Sequence, residues 1–168
     1  MSNNKQNVDI KAKEKRPDVV ELNTGAGSYL LVTPNAETDY IQKKLHDERV
    51  PYEYEMLIDM QSRLSAGDLV LDVGANVGNH TLYLAYVAGC DVIAIEPNKS
   101  LAEAIIESAS LNGLADRVRV EKVAAARSGG HGRFACEIQE NLGSQRVELG
   151  EGDIRVLPLD SLLLPKQV

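Results

Sequence analysis

The stretch VLDVGANVGNHTLYLA, residues 70–85, runs from an apolar strand through a two-glycine turn into an amphipathic helix. A strand-turn-helix of this kind commits a chain to an α/β sheet whose ligand site lies at the carboxyl ends of the strands. With Leu69, the run LVLDVG (69–74) has the unbroken apolar texture of a strand buried on both faces of a parallel sheet. A helix is expected from about Val77 to Ala88, with Gly89 as its stop.

The unit then repeats. DVIAIEP (91–97) reads as a second buried strand. NKSLAEAIIESASL (98–111) reads as a helix with Leu101, Ile105 and Ala109 on one face, ended by Asn112–Gly113, and RVRVEKVAAA (117–126) as a third strand. Residues 69–126 therefore predict a β-α-β-α-β core with right-handed crossovers. Upstream, SYLLVTP (28–34) is a short β-type run, and YEYEMLIDMQSRL (52–64) carries Met56, Leu57, Met60 and Leu64 at helical spacing after Pro51. Downstream, SGGHG (128–132) reads as a turn, RFACEI (133–138) as a strand and ENLGS (140–144) as a polar loop. QRVEL and IRVLPLDSLLL read as further strand-like runs.

At 168 residues the chain is about one domain long. Its net charge of −7 argues against a nucleic-acid surface or a polybasic membrane anchor. The basic residues Lys5, Lys11, Lys13, Lys15 and Arg16 concentrate in residues 1–17, read as a solvated tail, with the folded domain spanning 18–168. No apolar run approaches the ~18 residues of a membrane span, and the N-terminus lacks the apolar core of a secretory signal. Cys90 and Cys136 have no CxxC partner and are read as small packed residues, and His46, His80 and His131 are too scattered for a metal site. A cytoplasmic protein is the expectation.

In a strand-turn-helix unit the first helical N–H groups attract an anion, and glycine serves where the backbone needs φ > 0 or close approach to a ligand. Gly74 and Gly78 stand at the two ends of the turn, and Asn76 sits where a dinucleotide fingerprint would have another glycine. Asn visits the left-handed region readily, so the turn survives, but a pyrophosphate pressed on the backbone there is poorly served. A smaller group such as a carboxylate suits this helix better. Glu96, 18 residues after Gly78, ends the second strand where a carboxylate can accept both ribose hydroxyls. Asp72 suits a sulfonium or an amino group and would repel a pyrophosphate. Taken singly, Asp72 reads equally as a turn cap and Glu96 as a solvated acid. Together with the two-glycine turn they favour S-adenosylmethionine over NAD.

DVGANVGNHTLYLA (72–85), VIAIEPN (92–98), LNGL (111–114), RVRVEKVAAA (117–126) and ENLGSQRV (140–147), with PYEYEMLIDM (51–60) before and VLPLDSLL (156–163) after, resemble in order the FkbM family of S-adenosylmethionine-dependent methyltransferases. The resemblance spans roughly residues 28–168 and implies a Rossmann-like class I methyltransferase fold and O-methylation of a hydroxyl on a small molecule or sugar. It implies that Asp72, Gly74, Ala75, Asn76 and Gly78 surround the methionine end of the cofactor. Glu96 would bind the ribose, with Pro97 and Asn98 beside the adenosine and Val123 and Ala124 walling the adenine. The loop Asn141, Gly143 and Ser144 would face the methyl acceptor, and Glu53 the cofactor's amino group. In the family an acidic strand follows LDSL, and this chain stops at Val168 before it. The expectation is a fold incomplete in its C-terminal half, a cofactor-binding portion whose first strand is an open edge. A longer chain, or pairing with itself or another chain, would cover that edge. His80 and His131 are the candidate bases, neither convincing, which leaves the catalytic residue unknown. A cofactor-binding or assembly module without turnover and a nicotinamide-dependent oxidoreductase are the competing readings.

Overall fold

The computed structural model describes residue 16, residues 18–135 and residues 141–163, with Leu163 described by its backbone alone. The predicted β-α-β-α-β core is present. β3 (Leu69–Val73), β4 (Asp91–Ile95) and β5 (Val118–Glu121) form a parallel sheet in the order β3-β4-β5. α3 (Asn79–Tyr86) and α4 (Lys99–Leu111) make the crossovers. This is a partial Rossmann-like α/β fold. The register pairs Leu69 with Asp91 and Val73 with Ile95, so the two strands end level and their following loops lie side by side.

Burial separates the strands. Val92, Ile93, Ala94 and Ile95 are all buried, whereas Leu69 is 56 % and Val73 51 % exposed. The apolar run 69–74, read as buried on both faces, is thus a sheet edge. It has β4 on one side and, among the described residues, no strand on the other.

An antiparallel hairpin of β1 (Val19–Thr24) and β2 (Gly27–Val32) packs on the outside of α4. The free edge of β2 is satisfied by helix side chains. Leu30 N–H donates to Asn112 Oδ1 (2.8 Å), Asn112 Nδ2 donates to Leu30 O (2.7 Å), and Val32 N–H donates to Ser108 Oγ (2.9 Å). An edge paired to a helix in this way cannot recruit another strand. α1 (Tyr40–Glu48) and α2 (Tyr54–Ser62) follow, and the main core joins Leu22, Leu31, Leu45, Leu57, Leu82 and Ile105. Cys90 is buried, and Cys136 lies outside the described residues, as does nearly all of the basic tail. No described helix is long and apolar enough to cross a membrane.

A second sheet, in the order β6-β9-β7-β8, contains the remaining strands and corrects three readings. First, residues 117–126 are not one strand. Val123 N–H donates back to Glu121 O (2.9 Å), a three-residue turn that ends β5. β6 (Ala124–Ala125) then pairs in parallel with β9 (Ile154–Leu157) in the second sheet. Second, Gly130, His131 and Gly132 are not a turn but belong to β7 (Gly130–Phe134). Glycine is needed there for strand approach, because a Cβ at Gly132 would lie 2.5 Å from Glu148 O on β8 (Val147–Leu149). Third, the run from Ile154 is a strand only to Leu157. Pro158 ends it, and α5 (Leu159–Leu163) begins.

Asn112→Ala removes an acceptor and a donor at once and leaves the Leu30 amide unsatisfied. It should lower unfolding free energy by about 2 kcal/mol in urea titration.

Candidate cofactor site

The turn after β3 has the geometry its residue types require. Gly74 (φ 80), Asn76 (φ 51) and Gly78 (φ 89) are all left-handed. Gly74 and Ala75 N–H both donate to Ile95 O, at 2.9 and 3.2 Å, which ties the turn to the end of β4. The two glycines serve different ends. A Cβ at Gly74 would meet nothing within 4 Å, so the backbone there faces open space. A Cβ at Gly78 would lie 2.9 Å from Ile105 Cγ1, so Gly78 is required for α3 to seat against α4.

Glu96 ties the β3 turn to the loop after β4. Its side chain is buried, with the residue 6 % exposed, and Oε2 accepts from Asn76 N–H while Oε1 accepts from Asn98 N–H, each at 2.8 Å. Burial pushes its pKa above the ordinary glutamate value, an effect the two amides oppose and the nearby Asp72 carboxylate reinforces. Asn98 also caps α4, its side chain accepting from the amides of Ser100 and Leu101.

Two clefts open on either side of this carboxylate's loops. The smaller, about 150 Å3, is lined by Glu53, Gly74, Ala75, Asn76 and His80, with Gly143 closing over it. Glu53 is in the left-handed region (φ 57) at the start of α2, and its Oε2 lies 3.2 Å from His80 Nε2. Tyr52 beside it exchanges two hydrogen bonds with buried Asn79, N–H to Oδ1 and Nδ2 to O, both 2.9 Å. The larger cleft, about 650 Å3, is lined by Pro97, Asn98, Lys99 and Lys122 below and by Asn35, Thr38, Leu142 and Gln145 above.

Glu53, Gly74, Ala75, Asn76 and Gly143 therefore share the small cleft, and Pro97 and Asn98 the large one. Asp72, Gly78 and Glu96 line neither, and Asp72 Oδ2 accepts from Thr81 Oγ1 at 2.5 Å just behind the turn. Val123 and Ala124 are buried in two separate apolar clusters, and their neighbour Lys122 reaches the large cleft instead. Asn141 and Ser144 flank Gly143 without lining either cleft. His131 is exposed in β7, paired with Arg155.

Sequence reasoning missed the upper wall. Asn35, Thr38 and Ile41 come from the segment leading into α1, where Asp39 before Tyr40 is a helix N-cap signal. Two buried polar atoms of the small cleft's residues, Asn76 Oδ1 and His80 Nε2, make no hydrogen bond among the described residues, the latter lying 3.2 Å from Glu53 Oε2. Asn76 Oδ1 is an acceptor, and the bare Gly74 backbone beside it leaves the small cleft open to a ligand carrying donors.

No family model matches the chain, and no curated protein matches it. Solved structures similar to it include S-adenosylmethionine-dependent methyltransferases. The enzyme from Geobacter sulfurreducens, in complex with S-adenosylhomocysteine, is 26 % identical over 42 % of this chain and 34 % of its own, with a TM-score of 0.38. The enzyme from Agrobacterium tumefaciens is 18 % identical over 67 % and 34 %, with a TM-score of 0.44. An O-methyltransferase from Thermotoga maritima is 24 % identical over 67 % and 43 %, with a TM-score of 0.38. The chain spans well under half the length of each of these three.

Gly78→Ala adds a Cβ at a left-handed φ and against Ile105. Thermal or urea unfolding should register a loss of roughly 2 kcal/mol or more.

Proposed function

We propose that the chain binds S-adenosylmethionine and serves methyl transfer to a hydroxyl of a small molecule or sugar, in the manner of the FkbM methyltransferases. The observation that carries this is Glu96, a buried carboxylate at the end of β4 whose two oxygens are held by the loops on either side. Each oxygen retains a lone pair for a ribose hydroxyl, and burial strengthens such bonds. Gly74, Ala75 and Asn76 would hold the methionine end in the small cleft, with Glu53 and Asn76 Oδ1 accepting from its amino group. Pro97, Asn98 and Lys122 would flank the adenosine in the large one.

S-adenosylmethionine, when bound, supplies a methyl group on a positively charged sulfur. The protein's part is to align an acceptor oxygen with that methyl and to take the hydroxyl proton. Among the described residues lining the small cleft, His80 beside Glu53 is the base candidate. A dinucleotide fits less well. Its pyrophosphate would need the backbone at Asn76, and Gly143 covers that residue, with a Cβ there only 3.0 Å from Asn76 Nδ2.

The exposed side of β3 favours a second reading, a module that binds the cofactor without turnover, since nothing described walls an acceptor there. S-adenosylhomocysteine binding without methyl transfer to any alcohol tested would support it.

Calorimetric titration separates these readings. Wild-type chain should bind S-adenosylhomocysteine, and Glu96→Ala should weaken binding roughly 10- to 100-fold, the worth of ~1.5–3 kcal/mol for bonds to a charged acceptor. NAD binding in place of S-adenosylhomocysteine would sink the proposal.

The pH dependence has a defined sign. Ionised Glu96 accepts both hydroxyls, so affinity should be full above its raised pKa and fall as pH drops through it. That fall should begin above the ordinary glutamate value of 4.5.

A further inference from the structure

Asp39 is fully buried, 0 % exposed, and its two carboxylate oxygens go to two places. Oδ1 accepts from Gln42 N–H (2.9 Å) and caps α1. Oδ2 accepts from Leu142 N–H (2.9 Å), 103 residues away, at the start of the 3-10 turn Leu142–Ser144. A carboxylate at a helix N-terminus is electrostatically favoured, and removing it from water is tolerable only while both oxygens are satisfied. The second oxygen depends on the distant turn.

That turn is the partition between the two clefts. Gly143 lies over Asn76 in the small cleft, while Leu142 and Gln145 border the large one. Ile41, the second residue of α1, stands beside the same glycine, where a Cβ at Gly143 would lie 3.5 Å from Ile41 Cδ1. The internal bonds of the turn, Ser144 N–H to Asn141 O and Gln145 N–H to Leu142 O, hold its shape, while its position is held by the Asp39 bond and by Leu142 packing against the main core. Ser144 Oγ likewise bonds only to Asn141 O.

We infer that Asp39 is a positioning residue that latches the 142–144 turn over the bound cofactor, across the junction between its methionine and adenosine ends. The inference rests on the cofactor reading above. The latch works through a single charge-assisted bond from a rigid helix start to a short turn. Its loss frees the turn without dismantling the sheet or the Glu96 cradle. Ligand departure requires the turn to lift from Asn76, so the latch acts on release.

The test uses the full chain and two variants. Asp39→Asn keeps an oxygen to cap α1 but turns an amide toward the Leu142 N–H, opposing donor to donor. Leu142→Pro removes that N–H from the other side of the bond, at a first helical position that accepts proline. Two quantities are read: amide exchange at Leu142 in the ligand-free wild type and Asp39→Asn, and the dissociation rate of S-adenosylhomocysteine by stopped flow. Leu142 should be protected in wild type and unprotected in Asp39→Asn. Both variants should release ligand about tenfold faster than wild type, with Glu96→Ala as the separate control for loss of the ribose contact. Should Asp39→Asn fail to fold, the release rate of Leu142→Pro decides. Wild-type release rates in the folded variants, or unchanged protection at Leu142, would overturn the latch. A wild-type chain that binds no S-adenosylhomocysteine refutes the cofactor reading instead, and the exchange result then judges the Asp39–Leu142 latch by itself.

Discussion

Glu96 sits at the end of the most buried strand of the parallel sheet, and both loops that form the site are fastened to its carboxylate. A charge in that position would be expensive without partners. The partners are main-chain amides of Asn76 and Asn98, so the same two bonds that stabilise the charge also fix the backbone of two loops. Asn76 in turn adopts a left-handed conformation that a larger or branched residue would resist. Loop geometry and carboxylate are thus mutually dependent. Burial that raises the Glu96 pKa also strengthens the hydrogen bonds the ionised group can offer a ligand.

The register of β3 on β4 makes this junction available. Because Val73 pairs with Ile95, the β3 turn and the β4 loop begin at the same height, and Ile95 O receives both Gly74 and Ala75. A one-residue slip would carry Glu96 to the opposite face of the sheet. Seating of α3 against α4 through Gly78 holds that alignment from below. The hairpin docked on Ser108 and Asn112 braces α4 from outside. A chain of contacts therefore runs from the hairpin through α4 to Asn98 and Glu96.

The parts legible in the sequence are those encoded locally. Residues 69–121 announce strand, glycine turn and helix within windows of ten to fifteen residues, and the elements form where the pattern puts them. Glu96 was recognisable because strand ends are predictable and an acid there is conspicuous. What escaped depends on distant partners. Leu30 meets Asn112 across 82 residues and Asp39 meets Leu142 across 103, and neither pairing leaves a periodic trace. At Gly132 the turn reading fails because one residue type answers two needs, positive φ and close approach, and only the neighbouring strand distinguishes them. The break at Lys122–Val123 was hidden in a continuous β-type run because the strand changes sheets rather than ending.

The apolar texture of β3 can be weighed in the same way. Apolar residues line β3 and β4 alike, yet Leu69 and Val73 are half exposed while every apolar side chain of β4 is buried. Sequence reports what a strand can bury, whereas topology decides what it does bury. Leu71 packs only partly, against the cluster of Ile93, Ile95, Val123 and Leu162 on one face of the sheet. That face is continuous with the exposed edge, and at ~25 cal/mol per Å2 covering it would add stability that the described residues leave unrealised. The two clefts are lined instead by the β3 turn, the loop after β4, the starts of α1, α2 and α3, and the 142–144 turn. Both clefts therefore take shape with that side of β3 unpaired among the described residues.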